Sequence, residues 1–272
     1  MHARRIPFAF RVPDRAMIAL LEPLFQGEHA RHGEALQCAP QPPASAIGVA
    51  DLLRDPALLT DLLHRQARHL GADDLRAVAS AWSLEYLGMW LPPMVAAASV
   101  LQHAFPAAPE QVWVRFDDAG DPVSFHIRDL GRPMPGTSTA QRYAPMFWQH
   151  LEPLFAAIGR LTKLAPKILW SNTARHLETI LNEALALTGG AAPIAQDRDR
   201  LLRDATWPQA AAHPLYAPRR EVRRIEAGRC ETLKLYGHCC LNHLLPGETH
   251  CGPCPLAPAY RKDRAVAEER EA

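Results

Sequence analysis

QVWVRFDDAGDPVSFHIR, residues 111–128, is the stretch whose reading decides the fold. Val112, Val114 and Phe116 alternate with Trp113 and Arg115. Asp118-Ala119-Gly120-Asp121 is turn chemistry, and beyond it Val123, Phe125 and Ile127 alternate with Ser124, His126 and Arg128. A period of two on either side of a turn predicts a β-hairpin with one apolar face. On both sides of this hairpin, near 111–129, the apolar period is that of a helix. The expected class is therefore mostly α with a small β-hairpin, an α+β chain.

Working outward, Asp55 as N-cap and Pro56 at the first helical position open a helix with the stripe Leu58, Leu59, Leu62 and Leu63. Asp74 starts another, with Leu75, Val78, Trp82 and Leu87 apolar. Pro92-Pro93 is expected to break it, leaving Met94 to Phe105 as a second piece. Beyond the hairpin, helical spacing returns at Phe147, Leu151, Leu154 and Ile158. It returns again from Trp170 through Leu177, Ile180, Leu181 and Ala184 to a stop at Gly189-Gly190. A short helix over Arg15 to Glu22, capped by Asp14, and a loop over 27–45 are expected upstream. Regular pattern fades after Asp204, and Tyr260 to Ala272 reads as a charged, solvated tail. The expected layout is a mostly helical body over 1–210 and a small C-terminal module over 211–272.

The chain has 272 residues, enough to bury a core without disulfides. A formal charge of only +1 gives no global argument for nucleic acid or an anionic surface. No stretch reaches the roughly 18 consecutive apolar residues of a membrane span. Arg4, Arg5 and Arg11 are followed by no long apolar run, so the start does not read as a secretory leader. Cytoplasm is the expected location.

The cysteines carry the chemistry. Five of the six fall between positions 230 and 254, four of them as Cys239-Cys240, ten residues, Cys251, two residues, Cys254. In an unexported chain such bunching points to metal rather than disulfides. Four thiolates suit a closed zinc site or the two irons of a [2Fe–2S] cluster. Only Cys251-Gly252-Pro253-Cys254 is a tight knuckle of the kind zinc modules use twice. The adjacent pair needs an irregular backbone for joint ligation, because neighbouring side chains diverge. The spacing favours iron–sulfur, with structural zinc as the alternative.

This CC-x10-C-x2-C pattern, with Pro255-Leu256 after it, resembles that of the FhuF-type siderophore-iron reductases. Looser similarity lies in Leu169-Trp170-Ser171-Asn172, in His213-Pro214-Leu215 and in the helix around Ala81 to Pro93, while His238 stands where that pattern has a basic or small residue. The resemblance implies a [2Fe–2S] cluster on Cys239, Cys240, Cys251 and Cys254. It implies one-electron reduction of Fe(III) in a siderophore complex, hydroxamate type favoured, with Fe(II) released in the cytoplasm. No other catalytic side chain is required. The electron donor would be a ferredoxin or flavin reductase, since no dinucleotide fingerprint or phosphate loop is present. Peripheral association with the inner face of a membrane stays open. The rivals are a scaffold protein with a zinc module and a generic [2Fe–2S] carrier.

Other residues take plainer readings. Cys38 and Cys230 are expected to be small buried hydrophobes, with Cys230 the substitute ligand. His238, His243 and His250 are read as donors to sulfur or solvated rings. The tryptophans at 82, 90, 113, 148, 170 and 207 are read as packing. Asn172, if buried, is a capping or pocket residue. Arg219, Arg220, Arg223 and Arg224 form a basic run, and Arg115 and Arg128 lie on the outer hairpin face.

Overall fold

The computed structural model describes residues 17–208, 212–226 and 229–260. The helices are α1 (Ala30–Glu34), α2 (Val49–Arg54), α3 (Pro56–Leu70), α4 (Leu75–Val95), α5 (Thr139–Ala144), α6 (Glu152–Thr162), α7 (Pro166–Leu187) and α8 (Ala192–Leu202). The strands are β1 (Leu36–Cys38), β2 (Ile47–Gly48), β3 (His103–Ala104), β4 (Val112–Phe116), β5 (Pro122–Ile127), β6 (Arg132–Pro133), β7 (Glu221–Glu226) and β8 (Arg229–Lys234).

α4 is the axis of the fold. Trp82, Tyr86, Leu87, Trp90 and Leu91 are all buried, as are Ala77, Val78 and Ala79 on other sides of the helix. A helix apolar all round must be enclosed. α3, α6 and α7 pack against it, and so does the sheet. The expected break at Pro92-Pro93 does not occur: α4 runs through both prolines to Val95 and continues as a π turn over Ala96–Val100. Each interior proline costs about 3 kcal/mol. Trp90, Leu91, Met94 and Val95 are all buried around them, at roughly 1.5–3 kcal/mol per large apolar side chain. Packing therefore outweighs the lost hydrogen bonds.

The expected hairpin is present as β4 and β5, with Val114 opposite Phe125 and Val112 opposite Ile127. It is the centre of a four-stranded sheet in the order β1-β5-β4-β2. β1 pairs parallel with β5 and β2 antiparallel with β4. The segment expected to be loop over 27–45 thus supplies α1 and an edge strand, three residues long, too short to show a period. Phe125 meets α4 edge-on at Tyr86, 4.9 Å between ring centres, and lies 5.0 Å from Trp90. The outer face of the hairpin is also largely covered: Trp113, Ser124 and His126 are buried, and Arg128 lies 5.7 Å over the Trp113 ring.

Asp55 and Asp74 cap α3 and α4 as expected, accepting from Ala57 and Arg76 backbone N–H groups at 2.9 Å. Residues 19–24 form turns rather than a helix, with Ile18 and Leu21 buried as expected. The proposed Asp14 cap and the tail beyond Tyr260 lie outside the described residues. A second hairpin, β7–β8, occupies the stretch read as a basic run; Val222 faces Leu233 and Arg223 faces Thr232 across it.

Two polar ties lock the helices. Asn172 of α7, fully buried, donates to the Ser80 and Ser83 hydroxyls of α4 at 3.1 and 3.0 Å. Asp197 of α8 accepts from Arg142, Thr139 and Ser99, joining α5, α8 and the π turn.

Candidate functional site

The chain reaches the cysteines from β8 through Leu235 and Tyr236. Tyr236 N–H donates to the Pro253 carbonyl at 2.9 Å, which clips the approach to the second half of the site. Gly237 is required here by space: a Cβ would sit 2.5 Å from the Ala217 Cβ.

The divergence of adjacent side chains is solved one residue later. Leu241 takes a left-handed conformation, φ 63°, and its N–H turns back onto the Cys239 sulfur at 3.3 Å. A 3-10 turn over Asn242–Leu244 follows and packs on α4. The second half is the expected knuckle: Cys254 N–H bonds the Cys251 carbonyl at 3.0 Å, and Ala257 N–H bonds the Cys254 carbonyl at 3.2 Å.

These turns bring the four expected cysteines together. Cys254 Sγ lies 3.4 Å from Cys239 Sγ. Cys240 lies against the Cys239 and Cys251 thiols and within the influence of the Arg175 side chain. Those neighbours hold Cys240 far below the ordinary thiol range, Cys239 foremost. The same contacts, with burial, push Cys239 and Cys251 upward. Cys239, Cys240 and Cys254 are buried; Cys251 is half-buried.

The donor set fits a thiolate-held metal group. Metal–sulfur bonds of about 2.3 Å put neighbouring corners of a tetrahedron about 3.8 Å apart. The Cys239–Cys254 separation is 3.4 Å, so this pair would spread by only tenths of an ångström to bind one metal ion. Among the described residues no group of three or more His, Cys, Asp or Glu side chains is arranged to hold a metal ion as it stands; Cys254 and Cys239 hydrogen-bond one another instead.

The surroundings are polar and positive on one side. Arg175 of α7 donates to the His238 carbonyl and stacks on Tyr236, its guanidinium carbon 3.8 Å from the ring centre. His243 Nδ1 is 3.6 Å from Cys239 Sγ, and its ring stacks on His250 at 4.0 Å. His243 is thus in contact with a sulfur, and His250 stacks behind it. His238 contributes its carbonyl, and its imidazole pKa is lowered by burial and by Lys167 and Arg175. Nothing in the sequence near residue 240 announces Arg175; only the fold brings α7 to the cluster.

Cys38 and Cys230 are exposed, not buried as expected, because both lie on short strands with a face open to water. The basic run divides. Arg219 pairs with Glu178 at 2.6 Å, Arg224 with Glu231 at 3.3 Å, and Arg220 donates to the Tyr260 carbonyl, while Arg223 points outward. Asn172 ties α4 to α7, and Trp170 packs edge-on against Phe155 at 5.0 Å.

No helix among the described residues is long and apolar enough to cross a membrane. A family model described as ferric iron reductase FhuF-like transporter matches residues 80–229. That is more than half of the 272 residues, from α4 into the β7–β8 hairpin, and it ends before Cys239. The ferric siderophore reductase of Escherichia coli (strain K12) is 25% identical over 209 residues, 74% of this chain and 76% of the relative. Two solved structures of aerobactin synthetase IucA from a hypervirulent pathotype of Klebsiella pneumoniae, one with ATP bound, share the fold. Each has a TM-score of 0.52, at 15% and 16% identity over 64% and 63% of this chain. This chain spans only 37% and 38% of those structures.

Proposed function

The chain belongs to the ferric iron reductase FhuF-like family, and from that premise we propose that it is a cytoplasmic ferric-siderophore reductase holding a [2Fe–2S] cluster on Cys239, Cys240, Cys251 and Cys254. The observation that carries the reading is the convergence of these four cysteines, three of them buried, with Cys239 and Cys254 sulfurs 3.4 Å apart. When bound, such a cluster supplies one reversible electron.

The protein's own groups prepare the site for a charged, sulfur-rich centre. The Leu241 N–H and the His243 ring lie against Cys239, and the Arg175 guanidinium against Cys240. Donors and positive charge at sulfur stabilise added electron density and so raise a reduction potential. Pro253 and Gly252 hold the knuckle, and the buried positions of Cys239, Cys240 and Cys254 limit water.

The substrate chemistry requires little more. Siderophore oxygens are hard donors that favour Fe(III); one electron makes Fe(II), and the complex loosens. Hydroxamates are the class we assign, because three of them neutralise Fe(III), whereas three catecholates leave a trianion that is costly to desolvate. Electrons would arrive from a ferredoxin or flavin reductase, and Fe(II) would leave as product.

The test is anaerobic mixing of the reduced protein with a panel of ferric chelates. The expected result is loss of the reduced spectrum with one Fe(II) captured per electron. A reduced protein that re-oxidises in air but with no ferric siderophore would leave only an electron carrier. A colourless protein carrying zinc would leave a structural module.

A further inference from the structure

Arg175 touches more than the cysteines. With Tyr236 it also lines a cavity of about 730 Å³ between α4, α7 and the segment 23–32. That volume lies within the range of small-molecule sites. The α4 wall is Leu84, Gly88, Pro92 and Val95, one face of the helix, and it continues into the π turn at Ala96 and Ser99. The α7 wall rises from Arg175 through Ile180 and Ala184 to Leu187 at the rim, which is 68% exposed. The cavity is therefore apolar along its sides and reachable from solvent.

Two polar atoms in its walls are left over. His176 bonds the Leu84 carbonyl. Its Nε2 is buried and has no partner among the described residues. That bond therefore belongs to Nδ1–H, and Nε2 is a bare acceptor. Burial keeps the ring neutral, with its pKa lowered to about 4. Arg175 is the second case: a terminal nitrogen serves the His238 carbonyl and the side chain lies near Cys240, while Nε is buried and unmatched among the described residues. Buried polar groups are normally satisfied, and both atoms belong to residues that line one cavity, so a ligand that they reach by a small side-chain adjustment would answer both.

We propose that this cavity binds the ferric chelate, with its organic arms on the apolar walls, an amide or hydroxyl hydrogen on His176 Nε2, and a metal-bound oxygen toward Arg175. The site rests on the reductase reading above and assigns it a place. Arg175 then contacts the chelate oxygen and the Cys240 sulfur with one guanidinium. In the reaction one electron leaves the reduced protein and Fe(III) becomes Fe(II); no bond is made or broken at Arg175 and no proton moves there. Its positive charge favours the added electron density on the iron-bound oxygens. The ligand it fits is of low net charge, because Arg175 and Glu183 offset one another on the same wall and His29 lies 3.6 Å from Glu183.

The experiment separates site from activity. A Ga(III) hydroxamate chelate, which mimics the ferric complex without accepting an electron, is titrated into the oxidised holoprotein by calorimetry. Ala184→Trp fills the cavity from its α7 wall, and Thr179→Trp does so from an exposed position that can hardly disturb folding. Each is expected to weaken Ga(III)-chelate binding by about tenfold or more, with iron content and cluster spectrum unchanged. Arg175→Gln is expected to lower the cluster midpoint potential and the electron-transfer rate at saturating chelate, with part of both restored in Arg175→Lys. Wild-type affinity in both tryptophan variants, alongside normal reduction of ferric chelate, would overturn the site and leave the reductase reading standing. Loss of electron entry with chelate binding intact would overturn it too, since the cavity would then serve the donor. If the wild type reduces no ferric chelate, the reductase reading fails, and the Ga(III) titration still decides what the cavity binds.

Discussion

Removing the Asp197 carboxylate should be among the most destabilising single changes in the body of this protein. Its side chain is 2% exposed, and that of Arg142 is 4%. One carboxylate receives Arg142 at 2.7 and 2.9 Å, Ser99 at 2.7 Å and Thr139 at 2.5 Å. Asp197→Ala leaves the guanidinium buried with only the Thr137 carbonyl from its former partners and strands two hydroxyls. Deleting one side of a buried pair costs about 3–5 kcal/mol. Each stranded hydroxyl adds up to about 1 kcal/mol, less because Ser99 retains Tyr143 at 2.6 Å. We expect a loss of about 4–5 kcal/mol. At a urea slope of about 3 kcal/mol/M the unfolding midpoint falls by roughly 1.5 M. Chemical denaturation followed by far-ultraviolet dichroism measures it. Arg142→Met with Asp197→Leu removes both charges and should recover most of the loss, because a paired buried charge contributes little net stability. A loss below about 1 kcal/mol in Asp197→Ala, or a double variant no better than the single, would refute the reasoning. Ser99 also lines the cavity, so Asp197→Ala should weaken chelate binding through the π turn.

Three further expectations follow from the same geometry. Serine in place of Cys239, Cys240, Cys251 or Cys254, one at a time, should cost most of the bound iron and colour, whereas Cys38→Ser, exposed and remote in pattern, should cost none; iron analysis and visible spectra decide this. His150 is held neutral, its pKa lowered to about 4 by burial. It accepts from Tyr86 at 2.7 Å and donates to the Ala107 carbonyl at 3.1 Å. The unfolded chain therefore binds its proton first: stability is full above the unfolded value near 6.5 and falls as pH drops toward 4. His150→Gln should flatten that fall by about one proton, and an unchanged slope would count against the buried neutral ring. A chain ending at Pro218 keeps buried Trp207, His213 and Leu215 and should fold with its helical signal but no colour. Loss of the helical signal would show that the segment from 211 onward is not a separable module.

What the sequence showed, and what it hid, divides along range. The hairpin at 112–127 and the caps at Asp55 and Asp74 are local, set by period and by one side chain bonding a backbone two residues away. The misreadings came where distant packing overrules local preference. Pro92-Pro93 would end an isolated helix, but both prolines and their neighbours Trp90, Leu91, Met94 and Val95 are buried, and the helix passes on into the π turn. β1 has three residues and takes its conformation from pairing with β5. The β7–β8 hairpin was hidden by its arginines and glutamates, since both faces carry charge and no apolar alternation marks it.

The cysteine site shows the same division inside one motif. Spacing marked the four sulfurs and required an irregular backbone at the pair, and the left-handed Leu241 supplies it. Spacing could not mark Arg175, which lies 63 residues before His238, nor the cavity that α4 and α7 leave between them. Asn172 explains why that cavity is positioned: it pins α7 to Ser80 and Ser83, one turn before Arg175 and His176. Asn172→Leu should therefore do more than remove hydrogen bonds. It removes the donor to both hydroxyls, of which Ser83 keeps its own bond to the Ser80 carbonyl at 2.7 Å, at about 1–3 kcal/mol in all, and frees α7 to shift against α4. If the pin sets the register of Arg175, the variant will lose chelate affinity and alter the cluster spectrum even at temperatures where it stays fully folded. A variant that is less stable yet spectroscopically and functionally normal would show that the cluster segment, through Tyr236 and the His238 carbonyl, holds Arg175 in place by itself.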